Sequence, residues 1–297
     1  MASKEKLLAV SGLLSGAIVW GLIWYPYRLL EQAGISGALA VFCTYALPLL
    51  FGAVLFPRLL PRLRLAPPVL VWLAITSGWT NLAYVLSVID GEVMRVLLLF
   101  YLAPLWTMIF SRLLLGERLA FHGYLVMLLS LGGAFIMLWQ PSLGLPLPRG
   151  YAEWLGLSAG MTFALSNVLS RKAQDVPNDL RAASVWAGVS LVTLPLLVFL
   201  PNGALAPLSA LSGISAATWG ILLAVAATIF LITLTVQYGL AHTPANQAIV
   251  IFLSELVVAA VSSYFLAGEA MTIREWVGGA MIVAASLFSG KLENSEA

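Results

Sequence analysis

The chain has 297 residues, of which 61% are hydrophobic and 9% charged, and its mean hydropathy is +0.98, whereas a soluble domain carries about 25% charge. This composition excludes an ordinary soluble domain and marks a protein embedded in a lipid bilayer. The formal net charge of +2, with Lys and Arg set singly between apolar runs, excludes nucleic acid as a partner, and the single Cys43 excludes an intrachain disulfide or a multi-cysteine metal site.

A spanning helix needs about 20 mainly apolar residues. On that measure the sequence predicts an all-α membrane protein with ten spans, at 7–28, 36–57, 67–88, 93–115, 120–139, 151–172, 180–200, 215–238, 244–267 and 273–290. The first run starts like a signal peptide but continues through Trp20 and Trp24 with no small-residue cleavage site, so it is expected to stay as a helix. Breaks are expected at Gly34–Gly37, Pro57–Pro68, Pro141–Gly150, Asp175–Asp179 and Pro201–Pro207. With the N-terminus inside, eleven of the fifteen Lys and Arg residues fall on the inner side and four, Arg28, Arg95, Arg149 and Arg274, on the outer. The positive-inside rule then puts both termini in the cytoplasm.

The chain also repeats itself. Val96 to Glu117 and Ala248 to Glu269, 152 positions apart, are each an apolar run closed by a Gly-Glu pair. Gly12 and Gly16 recur as Gly156 and Gly160, and Leu47-Pro48-Leu49-Leu50 recurs as Leu194-Pro195-Leu196-Leu197. Two halves, 7–139 and 151–290, each hold five helices. Because five is odd, the second half enters from the opposite side, which is an inverted-topology repeat, and such proteins place a substrate site near the midplane.

Several polar and aromatic residues fall within these spans. Ser77, Thr80, Asn81 and Tyr84 form one stripe at helical spacing, and Ser158, Thr162, Ser166 and Ser170 form a hydroxyl ladder. Both stripes are open to two readings, a cavity wall or helix-packing contacts. Gln237 lies beside Tyr238. Trp20, Trp79, Tyr84, Tyr101, Trp106, Trp186 and Tyr238 lie deeper in their spans than the aromatics at helix ends, and a buried Trp or Tyr needs a partner for its polar atom. Glu255 is the acid nearest the centre of a span. Its role is a proton-coupling site, a contact to a substrate ammonium group, or a protonated structural carboxyl. Glu117 and Glu269, next to glycines, are expected to cap the following helix. Pro26, Pro48, Pro104 and Pro195 are expected kinks.

Gly156-Leu157-Ser158-Ala159-Gly160 matches G-x-S-x-G but lies within a spanning helix, not on a strand-to-helix elbow. His122 and His242 are the only histidines, and there is no P-loop or H-E-x-x-H. The chain is therefore expected to be no enzyme and to use no cofactor or metal.

Two five-helix halves, each with a Gly-Glu pair before its last helix, resemble the EamA repeats of the drug/metabolite transporter superfamily along essentially the whole chain. The run from Pro104 to Glu117 fits that pattern; the second copy departs from it, with Leu256 in place of the proline and Glu255 before it. Within the superfamily the sequence is most similar to the YddG-type aromatic amino acid exporters of bacterial inner membranes. The resemblance implies a ten-helix basket around a central cavity, alternating access, and export of aromatic and other hydrophobic amino acids. The candidate wall is Trp20, Trp79, Asn81, Tyr84, Tyr101, Trp106, Trp186, Gln237, Tyr238 and Glu255, and the transporter is expected to work as a monomer. Peripheral placement of Lys and Arg argues against a strongly anionic substrate. The alternatives are a cationic or amphipathic drug exporter coupled through Glu255, and a non-transport membrane interaction or lipid-handling module.

Overall fold

The structure, a computed structural model, describes residues 2–139, 147–199, 213–268 and 270–289. The expected break at Pro201–Pro207, most of that at Pro141–Gly150, and Glu269 and Lys291 lie outside the described residues. Every regular element among the described residues is an α-helix: α1 (Ala2–Gln32), α2 (Gly37–Leu55), α3 (Leu59–Arg64), α4 (Pro68–Asp90), α5 (Val93–Phe100), α6 (Ala103–Leu114), α7 (Phe121–Leu138), α8 (Tyr151–Lys172), α9 (Asn178–Phe199), α10 (Ala216–His242), α11 (Ala245–Phe252), α12 (Ser254–Ala267) and α13 (Ile273–Phe288).

Seven stretches among the described residues are long and apolar enough to cross a membrane: Lys4–Gln32, Gly37–Leu55, Pro68–Val88, Val93–Leu114, Phe121–Leu138, Ala216–His242 and Ala245–Ala267. α8, α9 and α13 occupy the other three expected spans. α8 carries Glu153, Arg171 and Lys172, α9 carries Asp179 and Arg181, and α13 has 16 residues.

Two expected continuous spans are each split in two. The run 93–115 breaks at Tyr101–Leu102, where Pro104 in the first turn of α6 has no N–H to offer the Phe100 carbonyl. The run 244–267 breaks at Leu253, 152 positions on, without a proline; there Leu256 N–H bonds the Leu253 carbonyl in a tighter turn. The expected loop at Pro57–Pro68 also contains the short α3. Gly116 and Gly268 end α6 and α12 in the left-handed region, at φ 73° and 71°, where a side chain would be strained.

The halves pack through one another in reciprocal pairs. α4 lies on α8 as α1 lies on α10, α4 on α9 as α10 on α2, and α6 on α8 as α12 on α1, while α2 meets α9 and α7 meets α13. Small residues bring the backbones together. A Cβ on Gly160 of α8 would lie 2.3 Å from the carbonyl oxygen that Pro104 leaves free on Phe100. Gly133 of α7 and Gly278 of α13 each face the other's carbonyl, at 2.6 and 2.5 Å from a built Cβ.

Candidate functional site

The two breaks meet. The Tyr101 hydroxyl, at the first, donates to Oε1 of Glu255, in the first turn of α12 just past the second. A carboxylate there also sits favourably toward the positive end of the α12 dipole. Among the described residues no Lys or Arg pairs with Glu255.

A wall of rings adjoins this contact. Trp20 of α1 packs edge-on against Phe252 at 5.3 Å and Phe163 of α8 at 6.4 Å. Phe163 lies 5.5 Å from Phe100, which meets Tyr84 and Tyr101 at 5.2 Å each. Phe163 and Phe252 close the circuit at 6.0 Å. The cluster draws on α1, α4, α8 and both broken helices. Edge-to-face pairs of this kind add about 0.5–1.5 kcal/mol each beyond the area they bury.

Sequence reasoning passed over Phe100, Phe163 and Phe252, because phenylalanine has no polar atom to flag it. One signal was available: Phe100 and Phe252 hold equivalent positions in the duplicated stretch, 152 apart.

The ten expected wall residues divide. Trp20, Tyr84, Tyr101 and Glu255 come together at the centre. Trp106 stacks on Phe110 at 6.3 Å, farther along α6. Asn81 donates to the Ser77 carbonyl at 3.0 Å. Trp79 of α4 is 40% exposed, with its indole N–H on Ser158 Oγ of α8 at 3.2 Å. Trp186 is fully buried in a separate core, stacked on Phe230 at 5.0 Å and against Gly52, with its N–H unpartnered. Gln237 is buried with its Oε1 unpartnered, and Tyr238 stacks on His242 at 4.2 Å near the end of α10.

The two hydroxyl stripes meet at Thr80 and Thr162, whose Oγ1 atoms are 2.9 Å apart. Ser158, Thr162 and Ser166 each donate to a carbonyl of their own helix; Ser170 Oγ is buried and unpartnered. G-x-S-x-G is confirmed as mid-helix, inside α8.

Ion pairs tie both ends of α8 to the first broken helix. At one end Arg95 of α5 grips Glu153 with Nε at 2.6 Å and Nη2 at 3.2 Å, and Glu153 also accepts from the Arg149 N–H. At the other, Glu117 lies 3.5 Å from Arg171, and Arg171 donates to the Ala241 carbonyl at the end of α10. Glu117 caps a helix of the other half: its Oε2 accepts from Ala245 N at 3.0 Å, the first residue of α11. The Gly116 turn directs it across the molecule.

Comparison with known proteins places the chain. The EamA-like transporter family model matches residues 7–139 and 150–290. An uncharacterized transporter of Archaeoglobus fulgidus is 28% identical over 225 residues, 74% of this chain and 75% of the relative. An uncharacterized transporter of Pseudomonas aeruginosa is 28% identical over 196 residues, 63% of this chain and 62% of the relative. A solved crystal structure shares the fold, with a TM-score of 0.74 at 19% identity, over 97% of this chain and 98% of that one. The family and these relatives are named as transporters, not enzymes. The chain is a multi-pass membrane protein that belongs to the EamA-like transporter family of the drug/metabolite transporter superfamily.

Proposed function

We propose that the protein exports aromatic and other hydrophobic amino acids across a bacterial inner membrane by alternating access, as a monomer with both termini in the cytoplasm. The observation that carries this reading is the Tyr101–Glu255 contact where two broken helices meet, inside a wall of aromatic rings. Broken helices expose backbone groups where transporters hold their substrates. A zwitterionic amino acid brings an ammonium group for Glu255, displacing the Tyr101 hydroxyl, and a flat apolar side chain for Trp20, Tyr84, Phe100, Phe163 and Phe252. Asn81, Trp106, Gln237 and Tyr238 line the route on either side of this centre, while Trp79 and Trp186 hold helices in place.

In this reading the chain is ten spanning helices in two inverted repeats, 7–139 and 151–290. The reciprocal packing, the two breaks at one offset and the paired left-handed glycines support it.

One observation favours a second reading. Among the described residues Glu255 has no basic partner, so it suits a lipophilic cation equally well. Efflux of preloaded phenylalanine from proteoliposomes, challenged with Trp, Thr and a quaternary ammonium, separates the two. Competition by Trp supports the amino acid exporter; competition by the quaternary ammonium alone transfers the site to cationic drugs, and absence of any phenylalanine flux refutes the proposal. Glu255→Gln is expected to abolish most efflux and its pH dependence.

A further inference from the structure

We infer that Arg181 of α9 forms a second binding site, for the carboxylate group of the substrate, beyond the aromatic centre and toward the inner end. This deepens the exporter reading and rests on it for the identity of the substrate; the existence of an anion site does not.

Arg181 is 2% exposed, yet no ion pair among the described residues includes it. Its Nη2 donates to Asn178 Oδ1 at 3.1 Å and its Nη1 to the Ser170 carbonyl at 3.4 Å, while its Nε has no partner. Asn178 is itself fixed by the Leu234 carbonyl of α10 at 2.9 Å. These oxygens orient the guanidinium and the C-terminal end of α8 offsets part of its charge, but no carboxylate among the described residues faces it. The acids close in sequence do not help: Asp179 is committed to Arg62 at 3.0 Å and Asp175 is exposed. Glu117, the acid near the end of α8, pairs with Arg171. A buried cation left unpaired is strongly unfavourable, so the site calls for an anion.

Two buried donors on α8 lie in the same turn as the Ser170 carbonyl that Arg181 reaches. Ser170 Oγ and Asn167 Nδ2, one turn apart on α8, are buried and unpartnered, and both are donors. A planar guanidinium with hydroxyl and amide donors matches a carboxylate, which accepts at two oxygens.

The position is on a route. Phe163 belongs to the ring wall, and Asn167 and Ser170 follow it on the same face of α8 at i+4 and i+7. At 1.5 Å per residue, Ser170 stands about 10 Å along α8 from Phe163. That exceeds the reach of one amino acid from ring to carboxylate, so the two sites are occupied in sequence: the carboxylate is caught at Arg181, and the side chain then passes to the rings.

The test uses the full chain in lipid nanodiscs. Acetate is titrated while thermal unfolding is followed, with methylammonium as the control cation, in discs with and without phosphatidylglycerol. Acetate is expected to raise the melting temperature saturably in the wild type but not in R181Q, with a weaker effect in R181K and S170A, which keep a folded protein in hand if R181Q does not fold. In proteoliposomes, R181Q is expected to raise the KM for internal phenylalanine roughly tenfold to a hundredfold, the loss of one charge-assisted contact, with kcat little changed. An acetate shift absent from the wild type, or as large in R181Q as in the wild type, overturns the site. A shift that needs phosphatidylglycerol and ignores acetate assigns the pocket to a lipid headgroup and overturns the carboxylate reading. Acetate binding without phenylalanine flux instead leaves the site standing and removes the exporter.

Discussion

Replacing Gly160 with alanine adds one methyl group where the structure has least room. A Cβ there would lie 2.3 Å from the Phe100 oxygen and 2.9 Å from its carbonyl carbon and Cα, whereas ordinary contact begins at 3.4 Å. The obstacle is backbone, held at the α5–α6 break, so α8 must retreat by about 1 Å. It cannot do so freely, because α4 packs along it. Overpacking of this kind costs about 1–3 kcal/mol, which corresponds to a fall in melting temperature on the order of 5 °C. The retreat also carries Phe163 away from Phe100, now 5.5 Å apart, so efflux should fall further than stability alone requires. Two controls isolate the cause. Gly220→Ala has nothing within 4 Å, and Gly132→Ala meets only the flexible end of Met281 at 3.3 Å; both should unfold within a degree or two of the wild type. Thermal unfolding in one detergent compares the three. If Gly160→Ala unfolds with the controls, the close approach of α8 to the broken helix is wrong.

Other substitutions probe the ends and the centre. Glu153→Gln removes one partner of a nearly buried pair, with side chains 7% and 13% exposed, and should destabilise by about 3 kcal/mol. Asp179→Asn, in a pair 42% and 18% exposed, should cost under about 1 kcal/mol; equal losses in denaturant or heat would refute the ranking. Glu117→Ala should cost about 1 kcal/mol through loss of the α11 cap, and Glu117→Gln less, because an amide oxygen still accepts from Ala245. Tyr101→Phe frees the Glu255 carboxylate from its donor and should change the pH profile of efflux while leaving the fold intact; an unchanged profile would separate the tyrosine from the mechanism.

Helices were legible in the sequence because a bilayer demands long apolar runs, and the duplication was legible because glycines and prolines mark backbone geometry. The break at Tyr101 had its sign in Pro104; the break at Leu253 had none locally and could be read only from its duplicate. Depth along a span does not decide which deep aromatics meet one another. Trp79 and Trp186 lie as deep in their spans as Tyr84, yet one bonds Ser158 of α8 while 40% exposed and the other fills a separate core, since the direction a helix turns its face is set by its neighbours. Glu117 shows the same limit: its partners Arg171 and Ala245 both lie in the other half, Ala245 128 positions away.

The reciprocal packing also has a kinematic consequence. In the inverted-repeat reading, reversal of the transporter makes each half adopt the other's shape. The pairs α1–α10 and α4–α8 then trade arrangements, but α2–α9 and α7–α13 are each converted into themselves. The Gly133–Gly278 crossing is therefore a point that the motion can turn about without breaking, a pivot common to both end states.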